Sequence, residues 1–139
     1  MWDETHWKGT QNKNYSWVKR GSYSGRSYGK NIKGLTLFYA LTSDGRQYWK
    51  FLDGKNNSMV TIHWLLSLHA ALLIENPNYR DNHIVLEDNA SPHVSKVSMA
   101  IKNLIQMPTM QSAAASFDAL PVEKVFQTLK GKVNYNDTE

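Results

Sequence analysis

The residue types best suited to metal or acid–base chemistry lie in residues 84–93, where an apolar segment becomes polar. Three β-forming apolar residues precede two acids, Glu87 and Asp88, and an amide, a proline and a histidine follow. This order predicts a buried strand with a polar site at its carboxyl end, where open α/β sheets place their ligands. On such a strand Glu87 and Asp88 face opposite sides, so only one of them enters a given site. The alternative interpretation is that Asp88 and the amide after it only turn the chain and cap the next helix.

Two further segments carry acids, one near each end of the chain. Residues 3–5 have the order Asp-Glu-Thr, and residues 116–130 contain a proline followed after one position by Glu123. Together with residues 84–93, these segments resemble the three motifs of mariner-superfamily cut-and-paste transposases. In that family the motifs are Asp-Glu-Thr/Ser, Asp-Asn-Ala-x-x-His and Ser-Pro-Asp-Leu-Asn-Pro-Ile-Glu. The resemblance extends over essentially the whole chain.

The resemblance implies an RNase H-like catalytic core with an Asp-Asp-Asp/Glu triad for DNA strand cleavage and strand transfer. Matched position by position, the triad is Asp3, Asp88 and Glu123, with 34 residues between the last two, an interval that fits the family. Its carboxylates would bind Mg²⁺ or Mn²⁺, since these ions prefer oxygen ligands. Asn89 and His93 match family positions beside the second Asp, and we expect them to orient that acid or to contact DNA.

The amino-terminal part of the chain is basic. Residues 1–55 hold ten Lys/Arg and four Asp/Glu, whereas residues 56–139 hold six and eight. A basic segment interleaved with aromatic residues suits a phosphate backbone, although an ordinary solvated face has the same composition. Within it, residues 17–21 match a Trp-x-x-Arg-Gly segment of the family, which makes Lys19 and Arg20 candidate DNA contacts. A protein that acts on DNA in this way is expected in the nucleus.

Two departures from the family pattern suggest a different function. In the third motif Phe117 replaces Pro, Ala119 replaces Leu and Leu120 replaces Asn, and only two residues precede Asp3. We therefore expect residues 1–139 to form a single RNase H-like domain that is truncated at its first strand and in its C-terminal part. The alternative function is a domesticated, non-catalytic remnant that acts as a structural subunit or binding module. Protein partners would then complete its open sheet edge.

The periodicity of the chain predicts an α/β fold with a mixed sheet, an antiparallel meander and helices on both faces. The strands are expected at residues 35–42, 47–52 and 83–88, with an Asp-Gly turn at 43–46. The helices are expected at 59–75, at 92–106 with Lys96, Lys102 and Asn103 outward, and from about 120 to a stop at Gly131. Residues 107–115 are predicted to be a weak strand or an irregular crossover.

Composition excludes several classes of protein. The chain has no cysteine, which excludes disulfides, thiolate zinc sites and iron–sulfur clusters within it. The start lacks the cationic and apolar regions of a secretory signal peptide. The longest apolar run, residues 64–74, is interrupted by Ser67 and His69, so we predict no membrane span.

Overall fold

An antiparallel meander forms the larger of the two sheets in the computed structural model, which describes residues 1–7, 34–53, 55–112 and 121–136. Its strands are β1 (Trp2–Trp7), β2 (Leu35–Leu41) and β3 (Gln47–Asp53), in the order β1-β2-β3. The predicted turn joins β2 to β3, and Gly45 adopts φ 87°, a conformation that glycine reaches without a steric penalty. The predicted meander is therefore confirmed.

The second sheet contains the strand that ends in the predicted polar site. Strand β4 (Val85–Glu87) pairs in parallel with β5 (Thr109–Gln111), within the residues where a weak strand was predicted. Strands β1 and β4 are neighbours, although they form no ladder with each other in the described part of the chain. The mixed sheet arrangement agrees with the predicted fold class.

Helices cover both faces of the meander. The described helices are α1 (Ser58–Glu75), α2 (Tyr79–Asn82), α3 (Ser91–Val94), α4 (Lys96–Leu104) and α5 (Pro121–Asn136). Of these, α1 packs on one face of the meander and α5 on the other. Strand β2 is the centre of this arrangement, because five consecutive residues of it are buried. Side chains alternate along a strand. Phe38 and Ala40 accordingly pack with Trp64 of α1, and Leu37 and Tyr39 pack with Val122 and Phe126 of α5.

Strand β1 is paired with β2 along its whole length. The register sets Asp3 opposite Tyr39 and Glu4 opposite Phe38. The ladder continues to Met1, whose amino group donates to the carbonyl of Leu41 at 2.8 Å and whose carbonyl accepts from the N–H of Leu41 at 2.8 Å. Asp3 therefore lies within a strand that pairs with β2 along its whole length, on the face that packs against α5.

Two predicted helix boundaries are wrong. The single helix predicted over residues 92–106 is broken at Ser95, whose ψ of 150° is extended. The Ser95 hydroxyl accepts from the N–H of Ser98 at 3.2 Å, so this serine caps α4 and separates it from α3. Gly131 does not stop α5, which continues to Asn136. One glycine costs a helix about 1 kcal/mol relative to alanine, which a packed helix tolerates.

Helix α1 is, among the described residues, the one helix long and apolar enough to cross a membrane by length and composition, although we predicted no such segment. Its buried side chains include Trp64, Leu65 and Leu68, which belong to the cluster that contains Phe38 of the sheet. These contacts are those of a core helix.

The amino-terminal cap of α1 can be tested by substitution. The Asn57 side chain accepts from the N–H groups of Met59 and Val60 at 3.0 Å each. Asn57→Ala is therefore expected to lower the free energy of unfolding by about 1 kcal/mol. Urea denaturation followed by circular dichroism measures this.

Asn78→Ala is the matched control, because Asn78 precedes α2 but its side chain makes no capping hydrogen bond. A loss as large in the control as in Asn57→Ala would contradict the assigned cap.

Candidate functional site

Asp3 lies on β1 and Asp88 directly follows the neighbouring strand β4, and the Asp88 carboxylate is close enough to help raise the pKa of Asp3. Burial, then the carboxylates of Glu4 and Asp88, raise the pKa of Asp3 to about 7. One Asp3 oxygen accepts from the N–H of Glu4 at 2.8 Å, which only partly offsets these effects. Ionised Asp3 therefore lacks a sufficient positive partner, a situation that a bound cation would correct.

His93 lies between two carboxylates and is fully buried. Its Nε2 is 2.7 Å from Glu4 Oε2, and its Nδ1 is 2.6 Å from Asp88 Oδ1. The contact with Glu4 is a hydrogen bond. The contact with Asp88 is an ion pair, but its geometry is not that of a hydrogen bond. The ring also packs against Trp2, with 4.4 Å between centroids.

Charge keeps the His93 imidazole protonated. Burial by itself lowers the pKa of His93, but the contacts with Asp88 and Glu4 outweigh it and raise the pKa to about 10. The same contact with His93 is the main reason why the pKa of Asp88 lies below its usual value. Near neutral pH, His93 and Asp88 therefore form an ion pair that fixes the orientation of the Asp88 carboxylate.

Asp88 also turns the chain, as the alternative interpretation proposed. Its Oδ1 accepts from the N–H of Ala90 at 2.9 Å. The N-cap position of α3 is occupied by Ala90 and makes no side-chain hydrogen bond, so neither Asp88 nor Asn89 caps this helix. The turn and the ion pair with His93 use the same carboxylate, so the two interpretations are compatible.

Glu87 and Lys102 form a buried ion pair that the sequence analysis missed. Glu87 is 0% exposed and Lys102 is 2% exposed. The Lys102 ammonium group donates to Glu87 Oε1 and, at 2.8 Å, to the carbonyl of His93. The prediction that Lys102 points outward is therefore wrong. The helical pattern placed it by polarity alone, and its partner Glu87 is fifteen positions away in sequence.

Glu4 is a second residue that the sequence analysis left without a role. Besides its bond to His93, it accepts from the side-chain amide of Asn56, whose Oδ1 accepts from Thr61 at 2.8 Å. These bonds connect β1 to the start of α1. The available signal was its position after Asp3, which places it on the opposite face of the strand.

The third acid, Glu123, lies in the first turn of α5. Val122 before it is buried with Tyr39, the ladder partner of Asp3. The helix that carries Glu123 thus packs on the face of the meander that Asp3 occupies. Across residues 1–7, 34–53, 55–112 and 121–136, however, no three acidic or histidine side chains come together as a metal-binding group.

The remaining predicted site residues differ in how they are placed. Asn89 is exposed, and its side-chain amide donates to the carbonyl of Ser112 at 3.3 Å. His93 has no exposed surface, which favours the orienting role over the DNA-contact role for this residue. Lys19 and Arg20 lie outside the described residues.

Comparison with solved structures identifies the fold. A Mos1 transposase paired-end complex with the left transposon end matches with a TM-score of 0.66 and 22% identity, over 95% of this chain and 40% of that one. A Mos1 mariner paired-end complex with Mn matches with a TM-score of 0.64 and 23% identity, over 93% of this chain and 40% of that one. This chain has the fold of a mariner transposase catalytic domain. The predicted resemblance and fold class are confirmed.

A third match covers the isolated Mos1 domain. The Mos1 transposase catalytic domain, solved with Raltegravir and Mg, gives a TM-score of 0.60 and 24% identity, over 73% of this chain and 53% of that one. The chain therefore spans about 40% of the length of the Mos1 chains in the paired-end complexes. No protein-family model and no curated protein sequence matches it.

The charge on His93 makes the stability of the domain depend on pH. The His93 pKa rises from 6.5 to about 10 on folding. A group with a raised pKa stabilises the fold fully below pH 6.5, and that contribution disappears as the pH rises through 10. Near pH 6 we expect the free energy of unfolding of wild type to be larger than that of His93→Gln by a few kcal/mol. This difference should shrink steadily towards pH 10.

Urea denaturation of both proteins at intervals between pH 6 and 10, without divalent ions, measures this difference. His63→Gln is the control, because His63 is exposed. A difference between wild type and His93→Gln that stays constant with pH would contradict the assigned charge.

Proposed function

We propose that the chain is a transposase-derived domain that cleaves and joins DNA strands with divalent metal ions, using Asp3, Asp88 and Glu123. The observation that carries the proposal is that Asp88, which follows the strand next to β1, is close enough to Asp3 to help raise its pKa to about 7. The likeness in fold to a Mos1 mariner paired-end complex with Mn and to the Mos1 transposase catalytic domain with Mg supports it.

The charges of the surrounding residues fit a divalent cation. Four acids lie in this part of the fold, namely Asp3, Glu4, Glu87 and Asp88. The cations that contact them are His93 and Lys102. When all six are ionised, two negative charges remain uncompensated. Asp3 is the least compensated of the four acids, because no cation among the described residues forms an ion pair with it.

Each residue of the site has a specific role in the proposed mechanism. Divalent ions supply the activation of the attacking oxygen and the stabilisation of the leaving oxygen. Asp3 and Asp88 would hold them from the sheet, and Glu123 would approach from α5. His93 keeps the Asp88 carboxylate ionised and oriented, and Glu4 fixes the opposite nitrogen of the ring. The three acids would have to come together on metal binding, because no three such side chains form a metal-binding group in the described residues.

Metal binding should depend on the protonation of Asp3. Below about pH 7 the Asp3 carboxyl binds a proton, which competes with the metal ion. The affinity for Mn²⁺ is therefore expected to rise by up to about tenfold per pH unit as the pH approaches 7, and then to level off. Titration calorimetry between pH 5.5 and 8 measures it.

Asp3→Asn should bind Mn²⁺ weakly at every pH in this range. Asp81→Asn, which removes an exposed acid from α2, should behave like wild type. A pH-independent wild-type affinity would show that Asp3 is not a ligand.

Cleavage itself is tested by the nicking of supercoiled DNA in Mn²⁺. Wild type is expected to nick, while Asp88→Asn and Glu123→Gln should lose at least about a hundredfold in rate, because each removes a charged metal ligand. Asp81→Asn should retain the wild-type rate. Equal nicking by wild type and Asp88→Asn would mean that a contaminating nuclease is responsible.

A second candidate function is a domesticated, non-catalytic subunit or binding module. It is favoured by the absence, among the described residues, of any three acids or histidines grouped as a metal site. A wild-type protein that is folded but neither binds Mn²⁺ nor nicks DNA would support this function over the first.

A further inference from the structure

A buried lysine holds both ends of the turn that carries Asp88. The Lys102 ammonium group, on α4, contacts the carboxylate of Glu87, the residue just before Asp88. It also donates at 2.8 Å to the carbonyl of His93, the residue that forms the ion pair with Asp88. One side chain thus connects the end of β4 to the start of the helical segment that follows the turn.

A second residue of α4 holds the same segment one position earlier. The Ser98 hydroxyl donates to the carbonyl of Pro92 at 2.6 Å. Ser98 and Lys102 are four positions apart, so they lie on the same face of the helix. Both are buried, at 0% and 2% exposure, and their polar groups bind consecutive carbonyls of the Asp88 segment. This face of α4 therefore binds the backbone of the Asp88 segment through polar side chains. Apolar side chains would be sufficient to bury a helix, but they could not make these hydrogen bonds.

Stability alone does not account for the Lys102–Glu87 pair. The loss of hydration on burial offsets much of the attraction between two charges, and apolar residues of similar size often stabilise a fold equally well. The second Glu87 oxygen, Oε2, is buried without a hydrogen-bond partner, so the pair is not fully satisfied. What an apolar pair cannot supply is the hydrogen bond from Lys102 to the His93 carbonyl.

We propose that Lys102 is a positioning residue, which acts through His93 to hold the Asp88 carboxylate in the orientation required for metal binding. The inference rests on the proposed function of Asp88 as a metal ligand. Glu87 has an auxiliary role in it, since its carboxylate keeps the ammonium group of Lys102 next to the His93 carbonyl.

The decisive variant removes both charges together. Lys102→Met alone leaves Glu87 buried without a partner and is expected to lower Tm by about 10 °C or more. The double variant Glu87→Leu/Lys102→Met avoids this cost and should fold, but it provides no donor for the His93 carbonyl. Lys96→Met is the matched control, because it makes the same substitution at an exposed position of α4. If this pair fails to fold, Glu87→Met/Lys102→Leu replaces it, with the same expected losses, because it also provides no donor for the His93 carbonyl.

Two measurements on these proteins test the proposal. Titration with Mn²⁺ is expected to show about tenfold weaker binding by the double variant and unchanged binding by Lys96→Met, as is typical when an outer partner of a metal ligand is lost. Nuclear magnetic resonance of the His93 ring is expected to show two slowly exchanging N–H protons in wild type, because both nitrogens face carboxylates in a buried site. In the double variant these signals should shift or disappear.

The outcomes separate this proposal from the proposed function. If wild type does not bind Mn²⁺, the function of the site as a metal centre fails, while the ring signals still show whether Lys102 positions His93. If the folded double variant keeps the wild-type ring signals, Lys102 is not a positioning residue. Unchanged Mn²⁺ affinity in the double variant would overturn the proposal in the same way.

Discussion

The contact of the His93 ring with two carboxylates is the interaction on which the arrangement of the site depends. In the described residues β1 and β4 lie side by side without a ladder, so backbone hydrogen bonds do not fix their relative position. His93 connects them, because Glu4 belongs to β1 and Asp88 follows β4. The packing of its ring against Trp2 adds an apolar contact to the same junction. Asp3 and Asp88 are brought together as a consequence of this junction.

The two faces of the meander give the acids of the first motif different surroundings. The face with Phe38 and Trp64 holds the larger apolar cluster, and Glu4 lies on this side, bonded to His93 and to Asn56 before α1. Asp3 faces the other side, where α5 packs through Val122. The consecutive acids of the first motif therefore have different surroundings. Glu4 is structural and paired, whereas Asp3 has no ion-pair partner in the described chain and has a raised pKa.

Buried charge is concentrated around Asp88. Charges are rarely buried unless they are paired, and here the pairs form a connected group in which His93 and Lys102 supply the positive charges. The members of this group come from several elements, since α4, β1, β4 and the turn after β4 each contribute one. The group therefore forms only when these elements are packed together. Removing one member leaves its partner charged and buried, so the group is expected to respond to substitution as a unit. This coupling is the route by which Lys102, in our proposal, would act on the carboxylate of Asp88 without touching it.

The sequence by itself determined the α/β architecture and the position of Asp88 at the end of a strand. Alternation and turn residues predicted the meander and α1, and the change from apolar to polar residues predicted that Asp88 lies at the end of a buried strand. These features follow from local patterns, because the side-chain period of a strand and the residues of a turn are properties of neighbouring positions. The outward position of Lys102 and the continuous helix through Ser95 were predicted from the same patterns and are wrong.

Only the tertiary structure decided the partners of the charged groups. The bond from Glu4 to His93 joins residues 89 positions apart, and the pair of Glu87 and Lys102 joins different elements. No local periodicity encodes such contacts, since polarity indicates that a side chain favours water or a partner but not which of the two it finds. The burial of Lys102 and the raised pKa of Asp3 follow from packing between distant segments, and that packing exists only once the chain has folded.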